Sequence, residues 1–207
     1  MLKTALVLGA TGLVGKALVE QLCGDHRYDS VICLLRKTLP INFFTNHSEK
    51  LQPIVVNFDN LQDYQGYFKA EHIYVCLGTT IKQAGSKAAF RKVDFEYVHV
   101  AAQLAKSQNA SSFVWISSVG ANALSTNFYL RVKGELENTI LNMPGLPNAA
   151  AVRPSLLLGD RQETRPAEKL ASILSPLFSP LLFGALSKYK PVHAADVAAQ
   201  MVRLQTF

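Results

Sequence analysis

Short apolar runs alternate along the chain with longer segments in which apolar residues recur at helical spacing. The apolar runs are rich in valine, isoleucine and aromatic residues, as buried strands are, and they occupy residues 4–8, 30–35, 53–58, 72–77, 112–117 and 149–158. Helical spacing is clearest over residues 13–23, 90–106 and 128–141. Strands that alternate with helices build parallel sheets through right-handed crossovers. The pattern therefore predicts an α/β fold with a doubly wound parallel sheet.

The pattern changes in the last quarter of the chain. Residues 170–186 are apolar but interrupted by two prolines, and such a stretch is too short and too rich in proline for a membrane-spanning helix. We predict a single domain over residues 1–207, in which residues 160–190 form a small helical lobe on the substrate side. This lobe either packs on the sheet edge or covers an apolar pocket, and we expect Leu177 and Phe178 to form the cover.

Composition narrows the class of ligand. The formal net charge is +6 and the isoelectric point is near 9.3, but the basic residues are scattered along the chain. Scattered cations do not suit a nucleic acid, whereas a basic surface suits a ligand that carries several phosphates. The three cysteines and five histidines lack metal-ligand spacing, so we predict buried thiols and no metal site. The short apolar run at the amino terminus leads straight into a glycine-rich loop, so we expect a first strand and a cytoplasmic protein without stable membrane insertion.

The glycine-rich loop has the sequence LGATGLVG, over residues 8–15, between the first predicted strand and the first predicted helix. Gly9 permits a tight turn, Gly12 lets the backbone approach a pyrophosphate, and Gly15 lets the helix pack closely against the strand. The start of a helix also offers free N–H groups and a positive dipole end to phosphates. The arrangement predicts a Rossmann-type dinucleotide site formed by Gly9, Thr11, Gly12, Leu13, Val14 and Gly15.

The end of the second predicted strand bears on which dinucleotide binds. An acidic residue there would bind the ribose 2′-hydroxyl of NAD and repel a 2′-phosphate. This chain instead has Arg36 and Lys37, and no acid before Glu49. Arg36 can fork onto a phosphate and Lys37 adds a point charge, which favours NADP(H); the alternative is two solvated surface cations.

The fourth predicted strand ends in CLGTT, residues 76–80, and the fifth ends in ISSVG, residues 116–120. In an open α/β sheet, ligands bind beyond the carboxyl ends of the strands. We therefore expect Leu77, Gly78 and Thr79 to border the ribose of the cofactor. Ser117 or Ser118 is placed to hydrogen-bond a substrate oxygen.

Tyr129 and Lys133 lie four residues apart, and therefore on one face of the third predicted helix. A free tyrosine has a pKa of ~10, which is too high for efficient proton transfer at neutral pH. A lysine one turn away, together with a positively charged nicotinamide ring, favours the phenolate. The pair predicts acid–base chemistry beside a nicotinamide cofactor.

These motifs resemble the short-chain dehydrogenase/reductase superfamily, specifically its atypical members, and most closely the Tat-interacting-protein-like oxidoreductases. The matching stretches span residues 3 to 166 and are LGATGLVG, CLGTT, KAAFRKVDFEYV, ISSVGA, NFYLRVKGELE and RPSLLLGDRQETRP. The resemblance implies bound NADP(H), with Tyr129 as proton donor and acceptor and Lys133 on both the nicotinamide ribose and the tyrosine. It also implies that the backbone near Leu156 and Leu157 lines the nicotinamide side and that Arg165 reaches the cofactor.

Two departures from typical short-chain dehydrogenases stand out. LGTT replaces their asparagine-containing turn after the fourth strand, so their four-residue proton relay is not intact. The spacing between Ser118 and Tyr129 is also short, which leaves both Ser117 and Ser118 as candidates for the catalytic serine.

The motifs favour an NADP(H)-dependent oxidoreductase that acts on a small, fairly apolar carbonyl or hydroxyl compound. The alternative is an NADP(H)-sensing regulatory binding protein with little or no turnover. A sugar-nucleotide epimerase or dehydratase is a third hypothesis, and the few apolar residues after Gly159 count against it. The expected partners are a small-molecule substrate and either a second copy of the chain or a regulatory protein.

Overall fold

A computed structural model describes residues 2–45, 49–146, 148–158 and 191–205. Its centre is a six-stranded sheet in the order β3-β2-β1-β4-β5-β6, and every pairing in it is parallel. The strands are β1 (Lys3–Leu8), β2 (Tyr28–Leu35), β3 (Leu51–Val55), β4 (His72–Val75), β5 (Ser112–Ile116) and β6 (Ala149–Val152). The chain moves outward from β1 to β3 and then crosses to β4, so the order reverses between β1 and β4. In open α/β sheets, that reversal marks the ligand crevice.

Helices cover both faces of the sheet. They are α1 (Leu13–Gly24), α2 (Ile81–Ala84), α3 (Lys87–Arg91), α4 (Tyr97–Ser107), α5 (Phe128–Leu141) and α6 (Ala194–Arg203). A 3-10 segment spans Phe58–Lys69, and a π-helical turn, Lys92–Glu96, joins α3 to α4. Along β1, Ala5 and Val7 pack into the core under α1 and α6, whereas Leu6 and Leu8 pack into the core under α4 and α5. A strand buried on both faces reads as a continuous apolar run, which is why β1 is clear in the sequence.

The predicted doubly wound sheet is confirmed, and the differences are at the element boundaries. The strand predicted over residues 149–158 ends at Val152, because Pro154 has no N–H group to continue the ladder. The next strand, β7 (Leu157–Leu158), pairs instead with β8 (Val192–His193) in a separate two-stranded sheet. The helix predicted over residues 90–106 is divided by the π-helical turn, and the strand predicted over residues 53–58 runs from Leu51 to Val55.

The predicted lobe over residues 160–190, with Leu177 and Phe178, lies outside the described residues, as does Arg165. Within the ranges that are described, no helix combines the length and the apolar character needed to cross a bilayer.

Candidate functional site

The glycine loop between β1 and α1 is shaped by two close backbone approaches. Gly9 has a φ of +83°, and a Cβ there would lie 2.5 Å from the Cys76 carbonyl carbon. A Cβ on Gly15 would lie 2.1 Å from the Gly9 carbonyl oxygen. Both distances are far below van der Waals contact, so both positions require glycine. By contrast, a Cβ on Gly12 would meet its nearest neighbour, the Gly9 oxygen, at an ordinary 3.5 Å.

Helix α1 begins next to this loop without a side-chain cap. Gly12 is the N-cap residue, it has extended backbone angles, and the first turn holds no acidic residue. The first N–H groups of a helix have no intrahelical partners, and together with the helix dipole they form an anion site. The local structure therefore fits a pyrophosphate, and that role of Gly12 stays a prediction.

A cleft of about 510 Å³ lies beyond the carboxyl ends of β1, β4 and β5. It brings together segments that are far apart in the sequence: the glycine loop, the loop after β4, the end of β5, helix α5 and the segment after β6. The predicted site residues that line it are Thr11, Gly12, Leu13, Val14, Leu77, Gly78, Thr79, Ser117, Ser118, Tyr129, Lys133 and Leu157. Gly9 and Gly15 are not among the lining residues, but they allow the close backbone approaches described above.

Tyr129 and Lys133 are presented by the first half of α5. The Asn127 side chain caps this helix by accepting the Leu130 N–H at 3.2 Å. The Tyr129 ring packs against Phe90 of α3, with 5.7 Å between ring centroids. Helix capping on one side and ring packing on the other fix the tyrosine at the wall of the cleft.

Lys133 is buried and paired with Asp94, a residue that the sequence analysis did not assign. Its Nζ lies 2.9 Å from Asp94 Oδ1, and the two side chains are 3% and 1% exposed. Lys133 Nζ also donates to the Ile116 carbonyl oxygen at 3.4 Å, and Asp94 Oδ2 accepts the Thr79 N–H at 2.8 Å. The carboxylate thus joins α5 to the loop after β4.

The sequence does contain a sign that Asp94 is buried. Phe90, Asp94 and Val98 recur at four-residue spacing, and all three are buried. An acidic residue on an otherwise apolar stripe is rarely buried without a partner. The position of Asp94 inside KAAFRKVDFEYV therefore indicated a buried carboxylate with a partner.

The two candidate serines differ in their surroundings. The Ser117 hydroxyl oxygen is buried and has no hydrogen-bond partner among the described residues. Ser118 is only partly buried, and its hydroxyl donates to the adjacent Val119 carbonyl oxygen at 3.3 Å. Such a long bond to a neighbouring residue is readily exchanged for a bond to a ligand.

Arg36 and Lys37 directly follow β2, and both are exposed, but neither lines the cleft. Besides Lys133, Lys16 is a cation that lines it, and its Nζ lies 5.1 Å from the centre of the Phe43 ring. A cation near the start of a helix opposes the helix dipole. Its position directly after the last loop glycine was a sign of an anionic ligand that the sequence analysis did not use.

Comparison with known proteins places this geometry in a family. Residues 9–165 match the sequence profile of a family described as NAD(P)H-binding. Protein HTATIP2 of Rattus norvegicus is 36% identical over 170 residues, which cover 82% of this chain and 69% of that protein. The chain belongs to the atypical short-chain dehydrogenase/reductase family. Its resemblance to that family is therefore confirmed, and with it an NAD(P)-binding, oxidoreductase-like character.

A second relative of this atypical short-chain dehydrogenase/reductase is Protein FMP52-1, mitochondrial, of Scheffersomyces stipitis. It is 34% identical over 168 residues, which cover 78% of this chain and 70% of that protein. Because its name places it in mitochondria, the cytoplasmic location of our chain stays a prediction.

Solved structures of low sequence identity share the fold of this short-chain dehydrogenase/reductase. A UDP-N-acetylglucosamine 4-epimerase from Methanobrevibacter ruminantium has a TM-score of 0.74 at 14% identity, over 97% of this chain and 72% of that one. Vestitone reductase from alfalfa has a TM-score of 0.69 at 17% identity, over 99% and 73%. At these identities the likeness shows the fold alone, so the epimerase gives no support to a sugar-nucleotide substrate here.

Proposed function

We propose that this protein is an NADP(H)-dependent oxidoreductase that interconverts a small, fairly apolar carbonyl compound and its alcohol. The observation that carries the proposal is the shared cleft: Tyr129 and Lys133 line the same space as the glycine loop. Lys133 is held there beside a carboxylate at 2.9 Å. A proton-transfer pair at a dinucleotide site is the arrangement that carbonyl reduction needs.

NADPH, when bound, supplies the hydride that adds to the carbonyl carbon. Tyr129 donates the proton that the carbonyl oxygen takes up, and the oxygen becomes a hydroxyl. Lys133 stabilises the phenolate left on Tyr129 by its positive charge. Ser118 donates a hydrogen bond to the reacting oxygen and orients it. In the oxidative direction, the same residues act in reverse.

Three cations support a preference for NADP(H). Arg36 and Lys37 stand at the end of β2, the position at which an acid would select NAD(H). Lys16 adds a cation inside the cleft. A charge-assisted contact to a 2′-phosphate contributes ~1.5–3 kcal/mol, so Arg36→Ala should weaken NADPH at least about tenfold. NADH should bind the variant and the wild type alike, and equal wild-type affinity for the two cofactors would refute the preference.

The lining of the cleft supports an apolar substrate. Phe43, Pro154, Leu156 and Leu157 contribute apolar surface to its wall. Polar side chains, such as that of Gln83, line the same cleft. Ligand pockets commonly combine apolar walls with polar groups that orient the ligand.

The test combines cofactor binding with turnover. Fluorescence titration with NADPH and NADH comes first, followed by a panel of small carbonyl compounds on wild type and Tyr129→Phe. The variant keeps the ring and loses only the hydroxyl, so NADPH binding should survive while reduction falls about 100-fold or more. Tyr97→Phe is the matched control, because the Tyr97 hydroxyl bonds Asp59 outside the cleft. A wild type that binds NADPH but reduces no compound would favour the sensing alternative.

A further inference from the structure

The buried pair formed by Asp94 and Lys133 is unusual because both charges are almost fully removed from water. Their side chains are 1% and 3% exposed, and 2.9 Å separates Oδ1 from Nζ. A single buried charge is costly, and without a partner the group tends to become neutral. Each member of the pair therefore offsets part of the cost of burying the other.

The contacts of the ammonium group also fix its orientation. Lys133 Nζ contacts Asp94 Oδ1 and the Ile116 carbonyl oxygen, and an ammonium group has three N–H donors. At least one donor is left for a ligand, and Lys133 lines the cleft. The other carboxylate oxygen, Oδ2, accepts the Thr79 N–H at 2.8 Å. The loop predicted to border the cofactor ribose is thus held by the same carboxylate as the lysine.

We propose that Asp94 is a positioning residue that holds the Lys133 ammonium group in place, directs its free N–H into the cleft, and couples it to the loop at Thr79. The proposal rests on the proposed role of Lys133 at the cofactor. It assigns Asp94 no direct contact with cofactor or substrate. Its effect is transmitted through Lys133, and this makes it separable from the role of Tyr129.

Titratable groups on several elements lie near Lys133. Burial raises the pKa of the Cys76 thiol to about 12, so this thiol stays neutral between about pH 7 and about pH 9.5. Glu137, one turn further along α5, is buried and bonds Arg153 instead. Among the described residues, the groups near this region are Tyr129 and Glu137 on α5, Asp94 on the π-helical turn, Cys76 after β4, Arg153 after β6 and Lys16 on α1.

The first experiment measures NADPH affinity against pH for Asp94→Asn. The amide keeps the shape and an acceptor for the Thr79 N–H, but it removes the charge. From about pH 7 to about pH 9.5, we expect the wild-type Kd to change less than about threefold and the variant Kd to rise about tenfold or more, because burial disfavours a charge that has lost its partner. Asp59→Asn is the matched control, because Asp59 is half-exposed and pairs with Lys92. An Asp94→Asn profile parallel to that of the wild type would overturn the proposal.

The second experiment needs no cofactor. Thermal unfolding is measured for Asp94→Asn, Lys133→Met and the double variant. Each single change leaves a buried charge without its partner, whereas the double change removes both charges. We expect the double variant to be more stable than Lys133→Met alone, and a Tm loss equal to the sum of the two single losses would contradict the pairing. A wild type that does not bind NADPH would overturn the proposed function, and this cycle would still decide whether Asp94 and Lys133 interact.

Discussion

The two ends of the parallel sheet both bury polar groups, but they do so in different ways. At the amino end, the Tyr28 hydroxyl bonds His72 Nδ1 at 2.8 Å and the Tyr74 hydroxyl at 2.7 Å, and all three side chains are buried. At the carboxyl end, Asp94 and Lys133 place two charges in the wall of an open cleft. Hydrogen bonds of this kind offset the cost of burying polar groups, whereas a buried ion pair is often less stable than apolar packing of the same volume.

The comparison teaches that stability alone explains the amino end but not the carboxyl end. The glycine loop at the carboxyl end also contains a residue whose identity stability does not explain. Gly9 and Gly15 are required by packing, but Gly12 meets only ordinary contacts. Residues whose identity stability does not require, such as Gly12, are the ones that we expect to contact a ligand. Substitutions of packing residues should therefore reduce stability, whereas substitutions of ligand-contacting residues should reduce binding.

The largest loss of stability is expected from Gly15→Ala. The added methyl group would lie 2.1 Å from the Gly9 carbonyl oxygen, so α1 must move away from β1. We expect a loss of about 3 kcal/mol in the free energy of unfolding, at the upper end of overpacking costs, together with loss of NADPH binding. Denaturant unfolding and fluorescence titration measure the two effects.

Gly12→Ala is the matched control for that change. Its methyl group meets only the Gly9 oxygen at 3.5 Å, so we expect a stability loss of about 1 kcal/mol or less from the weaker N-cap. NADPH affinity should nevertheless fall about tenfold or more, because the methyl group occupies the approach of the pyrophosphate. Undiminished NADPH affinity in Gly12→Ala would remove the functional explanation for this glycine.

At the amino end, Tyr28→Phe should reduce stability and leave NADPH binding unchanged. The substitution removes a hydroxyl that bonds both His72 and Tyr74 in a buried site. Loss of a buried hydrogen-bond partner costs ~1–3 kcal/mol, and chemical denaturation measures it. A change in the Kd for NADPH greater than about twofold would show that the two ends of the sheet are coupled.

The same network predicts a smaller effect of alkaline pH. Burial raises the pKa of Tyr28 from its usual 10.0 to about 12. Between these values the unfolded chain loses the proton first, so stability is fully present below pH ~10 and declines as pH rises towards ~12. Between pH ~9 and pH ~11, the wild type should lose about 1 kcal/mol more than Tyr28→Phe. Parallel stability curves for the two proteins would argue against Tyr28 as the titrating group.

The sheet could be predicted from the sequence because its inner strands are buried on both faces and form continuous apolar runs, as residues 5–8 of β1 do. Strand β6 ends before Pro154, but its end was not predicted because apolar residues lie both before and after this proline. Tyr129, Lys133 and the glycine loop belong to short motifs with fixed spacing, so this part of the site could also be predicted from the sequence.

Asp94 and Lys16 were not predicted, because each depends on tertiary structure. The Asp94 carboxylate reaches Lys133 from a π-helical turn, 39 positions earlier in the chain, and no local spacing relates the two. Lys16 directly follows the last loop glycine, but its contact with Phe43 in the cleft is a tertiary contact that no local spacing predicts. Conversely, Arg36 and Lys37 were predicted from their position in the chain, and the structure leaves both exposed at the end of β2.

The smallest effect on stability, and the sharpest separation from function, is expected at the end of β5. Ser118 is partly exposed and lines the cleft, and its side-chain hydrogen bond to the neighbouring Val119 carbonyl is long at 3.3 Å. Ser118→Ala should therefore change the free energy of unfolding by less than about 0.5 kcal/mol. Its turnover should fall about 10- to 100-fold, because the reacting oxygen loses an orienting donor. Ser117→Ala is the comparison, since the Ser117 hydroxyl is buried without a partner among the described residues and its removal should affect turnover less. If Ser117→Ala loses more turnover than Ser118→Ala, the serine that contacts the substrate is Ser117. In that case the backbone at the carboxyl end of β5 must shift when ligand binds.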